Sequence, residues 1–246
     1  MNTPTAAAPA PTGSALASCL ETVTITLENL ADFQAAPGPF TNCKHLIWKV
    51  LHILDRAVLA KFPNLSTLDC SSCMLTTLAE LTDLCPLIKQ LYCFKNALRS
   101  LRGIEHLDLE LLQCNDNEIE NLDELLGCQS LVTLYCSGNK INTFESLHLC
   151  AQLKHVTAHH NRLEDLIGLQ GLPIEMLGVS NNSLTSLDGA QHLLKLKTIY
   201  CQWNKLTNVR KLLGLKDLES VMIFNNYHLV LSDEEKQMID RITHRN

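Results

Sequence analysis

The chain has 246 residues, a formal net charge of -6, 46% hydrophobic residues and only 19% charged ones, an ordinary composition for a globular protein. It suggests no basic face of the kind a duplex-binding protein carries. No stretch approaches the roughly 20 consecutive apolar residues needed to cross a bilayer, so no nucleic-acid or membrane partner is expected.

Residues 1–18, MNTPTAAAPAPTGSALAS, are small, uncharged and proline-containing. They lack the basic start and apolar run of a secretory signal, and a disordered tail is expected. Residues 19–64 read as an N-terminal cap. In its first part Leu20, Val23, Ile25, Leu30 and Phe33 take apolar positions of a degenerate repeat turn, with Glu28 where an asparagine recurs later and Asn29 one place late. After Pro37 and Pro39, the residues Leu46, Val50, Leu54, Val58 and Phe62 recur at intervals of four. That spacing predicts an amphipathic helix started by Thr41 or Asn42 and stopped by Pro63.

From residue 65 to 226 one unit repeats. Asn96, Asn117, Asn139, Asn161, Asn182, Asn204 and Asn226 stand 21 or 22 residues apart, with Cys73 in the equivalent place 23 residues before the first. Eight repeats begin at Leu65, Ile88, Leu109, Leu131, Leu153, Ile174, Leu196 and Leu218, each apolar at its first, fourth and sixth positions. One such turn cannot bury its own apolar side, so turns must stack into a continuous core. The segment around the fourth position then forms a strand, and parallel pairing of these strands builds one sheet. A buried asparagine offers two donors and an acceptor, and a column of them can satisfy the backbone groups that the turn after each strand leaves unpaired.

Eleven cysteines invite a metal or disulfide reading. Cys70, Cys93, Cys114, Cys136 and Cys201 hold the sixth, core position, where Ala158, Val179 and Ile223 stand in the other repeats. A thiol there acts as a small hydrophobe. Cys85, Cys128 and Cys150 fall where sister repeats carry leucines. Cys70 and Cys73 make a C-x-x-C without the second pair a four-ligand zinc site requires. No metal or cofactor is expected, and unpaired thiols point to a reducing, cytoplasmic or nuclear setting. No G-x-S-x-G, H-E-x-x-H or phosphate-loop run appears, so no enzyme is expected.

Alternate strand residues point out of the core. The outward row at the fifth position includes Tyr92, Tyr135, Tyr200 and Met222; the row at the seventh includes Phe94, His159 and Phe224; His155 lies at a third position and Trp203 at an eighth. Aromatics ringed by small polar residues have the composition of protein-binding hot spots. These nine residues are the candidate partner-binding set on the concave face, and a lone monomer is expected without that partner. His155 and His159 lack nearby carboxylates for a metal site, and could make binding pH-sensitive. Residues 227–246 form the C-terminal cap: Ser232 and Glu235 make a capping box, and Met238, Ile239 and Ile242 share one face of a short helix.

Units such as LVTLYCSGNKINTFESLHLC and LKTIYCQWNKLTNVRKLLGL resemble the short leucine-rich-repeat class typified by the nuclear regulatory subunit of protein phosphatase 1 and the leucine-rich-repeat axonemal dynein light chain. The resemblance implies an α/β solenoid, a curved stack with a concave parallel β-sheet and helical caps at both ends. It implies a non-enzymatic scaffold or regulatory subunit, with a phosphatase or cytoskeletal partner on the concave face. Two departures stand out: cysteine replaces the usual leucine at the sixth position, as in some bacterial repeat proteins, and the chain closes with Asn226-Tyr227-His228 instead of the class's proline and tyrosine-arginine cap. The alternative is a secreted or surface microbial recognition protein of the same repeat type.

Overall fold

A computed structural model describes residues 20–79 and 81–243; the expected tail over residues 1–18 lies outside them. Ten parallel strands follow one another in chain order in a single sheet. They are β1 (Thr22–Thr26), β2 (His45–Lys49), β3 (Thr67–Asp69), β4 (Gln90–Tyr92), β5 (Leu111–Gln113), β6 (Thr133–Tyr135), β7 (His155–Thr157), β8 (Met176–Gly178), β9 (Thr198–Tyr200) and β10 (Ser220–Met222). Return segments carry short helices α1 (Leu30–Ala35), α2 (Arg56–Leu59) and α3 (Leu81–Leu84), then single 3-10 turns such as Asp123–Gly127 and Glu145–Leu147. Helix α4 (Asp233–Thr243) ends the described chain. The result is a curved solenoid, strands on the concave side and helical returns on the convex side.

The period dictates this stack. Pairing is in step at every interface, for example Leu112 beside Leu134 and Leu134 beside Val156. Each fourth-position side chain therefore lands on its counterpart in the next turn. Leu68, Leu91, Leu112, Leu134, Val156, Leu177 and Ile199 are wholly buried, and each such side chain contributes roughly 1.5–3 kcal/mol by leaving water. The cysteines fill the adjacent column: Cys70, Cys93, Cys114, Cys136 and Cys201 are buried, and burial pushes the thiols of Cys114 and Cys201 up to about 12. Cys85, Cys128 and Cys150 lie buried beneath the returns, each thiol directed at a main-chain carbonyl of the preceding turn. Turns meet closely enough at Gly103, φ 109°, that a Cβ there would stand 2.1 Å from the Leu78 carbonyl oxygen.

The asparagine ladder forms as the spacing predicts. Asn117 Oδ1 accepts from the Leu98 N–H at 3.0 Å, and its Nδ2 donates to the Cys93 and Cys114 carbonyls, both at 3.0 Å. Asn96, Asn139, Asn161, Asn182, Asn204 and Asn226 repeat the motif of an N–H accepted from the preceding turn and amide donation to strand-end carbonyls, Asn96 accepting a second N–H from Cys73. Cys73, in the asparagine place, donates its thiol to the Trp48 carbonyl at 3.1 Å.

The amphipathic helix expected between residues 41 and 62 is corrected. Its first half is strand β2, in register with β1 and β3. Leu46, Trp48 and Val50 are buried while Lys49 is exposed, which is the alternation of a strand and not a helical stripe. Leu51 and Ile53, which a helix would have brought toward its apolar side, are 52% and 55% exposed. Trp48 is fully buried and its indole N–H donates to the Ile53 carbonyl at 2.8 Å. Only α2 survives from the second half, and Asp55 caps it by accepting from the Val58 N–H at 3.0 Å. The strand stack thus extends upstream of Leu65 by β1 and β2, and the degenerate first turn is real. Asn29 closes that turn, accepting from the Thr26 N–H at 2.8 Å and donating to the Thr24 carbonyl at 3.1 Å.

At the far end the capping box is present. Glu235 Oε2 accepts from the Ser232 N–H at 2.7 Å, and Ser232 Oγ accepts from the Glu235 N–H at 3.3 Å. The second carboxylate oxygen accepts from the Val209 N–H at 2.6 Å, which ties α4 to the preceding turn. Burial pushes the Glu235 carboxyl up, but these bonds outweigh it and hold the group below its ordinary value. Met238 and Ile242 are buried against the last turn.

Candidate functional site

The third, fifth and seventh positions of successive strands form three outward rows on the sheet. The fifth-position row runs Thr24, Ile47, Asp69, Tyr92, Gln113, Tyr135, Thr157, Gly178, Tyr200, Met222, each in register with the next. Across all three rows the formally charged side chains are Asp69 and Lys49, which lie 3.6 Å apart. The face is otherwise neutral, polar and aromatic.

All nine candidate residues lie on this face or its rim. Tyr92, Phe94, Tyr135, His155, His159 and Tyr200 are half-buried between neighbouring strands. Trp203 is 47% exposed, Met222 42% and Phe224 54%. They divide into two groups: Tyr92, Phe94 and Tyr135 toward the start, and Tyr200, Trp203, Met222 and Phe224 toward the C-terminal turns. Within the face the ring contact among the described residues is His159 with Tyr200, 6.4 Å between centroids and edge-on. The remaining aromatics do not stack on one another, so mutual packing does not account for them.

Between the two groups the face holds a relay that sequence reasoning missed. From β3 onward each strand ends before its seventh position, and in three successive turns the seventh side chain accepts the N–H of the next. Asn115 Oδ1 takes the Ser137 N–H at 2.7 Å, Ser137 Oγ the His159 N–H at 3.1 Å, and His159 Nδ1 the Ser180 N–H at 3.1 Å. The relay stops at Ser180, whose buried Oγ meets no partner among the described residues. Gly178 makes room for the histidine: a Cβ there would stand 2.5 Å from His159 Cε1. Because Nδ1 is occupied as an acceptor, the ring proton belongs on Nε2. Burial, then the neighbouring His160, holds the imidazole below its ordinary value. His155 and His159 therefore do not form a paired site; the first sits in β7 and the second is fixed in the relay. The signal in the sequence was the run of short polar residues and histidine at consecutive seventh positions.

Among the described residues no group of three or more His, Cys, Asp or Glu side chains is placed to hold a metal, and no helix is long and apolar enough to cross a membrane. The convex side carries exposed Leu126, Leu149, Ile167 and Leu194, spread over separate turns.

An in-step parallel sheet, a buried leucine column and an asparagine ladder define a leucine-rich-repeat solenoid. Solved structures share it. An internalin, InlF from Listeria monocytogenes, matches over 83% of this chain and 70% of its own with a TM-score of 0.69 and 16% identity. The functional domain of InlJ from the same organism, described as including a cysteine ladder, matches over 79% of this chain and 42% of its own with a TM-score of 0.68 and 24% identity. The leucine-rich repeats of FLRT2, in an octameric complex with Latrophilin 3 and Unc5D, match over 75% of this chain and 63% of their own with a TM-score of 0.63 and 20% identity. No family model matches the chain, and no curated protein matches it by sequence.

Proposed function

We propose that this chain is a non-enzymatic interaction scaffold that holds a protein partner on its concave face. The observation that carries the reading is the composition of the outward rows. A chain of net charge -6 leaves its largest regular surface with one acid and one base, paired to each other, and sets two groups of unstacked aromatics into it. Interface cores are depleted of charge and enriched in aromatics in this way, and half-buried rings held by a rigid sheet lose little entropy when a partner covers them. The FLRT2 repeats in their complex show the same fold in a multiprotein assembly.

The finer assignment, a regulatory subunit of a phosphatase or a cytoskeletal complex, rests on the 22-residue repeat pattern. A reducing compartment is supported by the buried, unpaired cysteines of the described residues. The secreted alternative draws on the fold shared with the internalins and on the column of sixth-position cysteines, beside the cysteine ladder described for the InlJ domain.

The test is affinity capture with the wild-type chain and a Tyr135→Ala, Tyr200→Ala double variant. Both rings face outward, so the variant is expected to keep its thermal midpoint within a few degrees and lose the partner. Retention of the same partner by a folded double variant would overturn the reading.

A further inference from the structure

The rim beside the C-terminal aromatic group carries a feature the face alone does not explain. The eighth residue of every repeat from residue 65 onward has a left-handed backbone: Ser72, Lys95, Asp116, Gly138, His160, Asn181, Trp203 and Asn225 have φ between 54° and 68°. Glycine and asparagine suit that conformation, whereas a bulky side chain there costs on the order of 1–3 kcal/mol. Trp203 is the bulkiest member of the row, flanked by Asn181 and Asn225. Packing does not offset the cost, since the side chain is 47% exposed. Lys95 and His160 are exposed in the same conformation; Trp203 is set apart by placing an indole on the surface there.

Trp203 and Tyr227, the latter 80% exposed, flank a cleft of about 400 Å³ edged by Asn181, Asn225 and Lys205. Among the described residues the indole N–H of Trp203, the Tyr227 hydroxyl and the side-chain amides of Asn181 and Asn225 meet no hydrogen-bond partner. Lys205 Nζ has one long bond, 3.4 Å, to Ser183 Oγ. The cleft is thus bounded by ring faces and unused donors. A polyproline II segment is the complement: its proline residues have no N–H, and its carbonyls are unpaired within the helix.

The spacing agrees. Neighbouring strands lie about 4.8 Å apart, which sets Asn181 and Asn225, two turns apart, at about 10 Å. Polyproline II repeats every three residues, about 9.3 Å. A β-strand repeats at about 6.8 Å, which misses that span, and an α-helix, two of whose turns would cover about 10.8 Å, has its carbonyls bonded within the helix. Laid across the turns, a polyproline II segment gives one carbonyl to each asparagine, a proline ring to the Trp203 face and an intervening carbonyl to its N–H, the mode in which aromatic-lined grooves take such ligands.

We propose that this cleft binds a proline-containing polyproline II segment of the partner, with Trp203 as its anchor. The proposal rests on the reading of the concave side as the partner surface and names the ligand class at its rim. It is tested by calorimetric titration of the full chain with a capped decapeptide of Ala-Pro-Pro repeats, beside an all-alanine control. The decisive variant is Trp203→Asn, which installs the residue already present at positions 181 and 225. Saturable binding of the proline peptide alone, weakened about tenfold or more in Trp203→Asn while the thermal midpoint stays equal or rises, supports the proposal. No saturable binding at millimolar peptide, equal binding of the alanine control, or unchanged binding by Trp203→Asn overturns it. Trp203-dependent binding of an uncharged oligosaccharide in place of the peptide overturns it as well. If the peptide fails while the Tyr135, Tyr200 double variant still loses its partner, the ligand class falls and the concave-face reading stands.

Discussion

Replacing Asn139 by alanine removes four short contacts, but their energetic weights differ. Asn139 is 8% exposed; its Oδ1 accepts from the Ile119 N–H at 3.0 Å, and its Nδ2 donates to the Cys114, Cys136 and Ser137 carbonyls at 3.0, 3.0 and 3.3 Å. The carbonyls have cover. Cys114 also accepts from Asn117, and Cys136 also accepts from Asn161. Only the Ile119 N–H, on a residue that is wholly buried, is left without a partner. One orphaned buried donor costs about 1–3 kcal/mol, so the expected loss is about 2 kcal/mol and not the sum of four bonds. For a chain of this size that corresponds to a drop of about 4–8 °C in thermal midpoint. Asn139→Asp keeps the acceptor for Ile119 but turns a second oxygen toward carbonyls, and is expected to be worse than alanine at neutral pH. Both are read by urea and thermal unfolding followed by circular dichroism. A loss in Asn139→Ala under about 0.5 kcal/mol, the scale of an ordinary surface substitution, or a milder effect of Asn139→Asp, would refute the ladder argument.

Two titrating groups give further predictions. His159 has a folded value below its ordinary 6.5, so below about pH 6.5 the unfolded chain binds the extra proton first and stability falls, levelling off once the folded ring protonates. Urea midpoints measured between about pH 7.5 and 5 should show a loss in wild type that His159→Gln lacks, and Gly178→Ala, which crowds the ring off Ser180, should shrink the difference. Glu235 is depressed, so its contribution is present above the unfolded carboxyl value and is lost as pH falls through the folded one. Glu235→Ala should cost about 3 kcal/mol through the Val209 and Ser232 amides, and Glu235→Gln less, because one acceptor remains.

Much of this molecule is legible in its sequence because the repeat repeats. Eight asparagine-place residues at near-constant spacing set register, core and outward face together, and the Ser232–Glu235 pair announced the last helix. Where the marker is missing the local pattern misleads. The β1 and β2 turns have Glu28 and Leu51 in the asparagine place, and the coincidence of Leu46, Val50, Leu54, Val58 and Phe62 at intervals of four imitates a helix. The pairing edge offered by β3 decides for a strand, which no local pattern contains. The relay through Asn115, Ser137 and His159 and the left-handed rim at Trp203 were hidden for a related reason. The relay depends on which backbone group a neighbouring turn, some 22 residues away, presents to the side chain, and the rim on the turn of backbone that hands the Trp203 N–H to the Phe224 carbonyl.

The central claim, that a partner covers the uncharged aromatic rows, is tested most directly by site-specific photo-crosslinking. A benzophenone amino acid placed at Tyr135 on the sheet and, separately, at Leu149 on the convex side would be irradiated in lysate of the natural source. The account predicts a defined crosslinked species from position 135, suppressed when Tyr200→Ala is added, and none from 149. A species formed from 149 and absent from 135 would contradict it and move the binding surface to the convex returns.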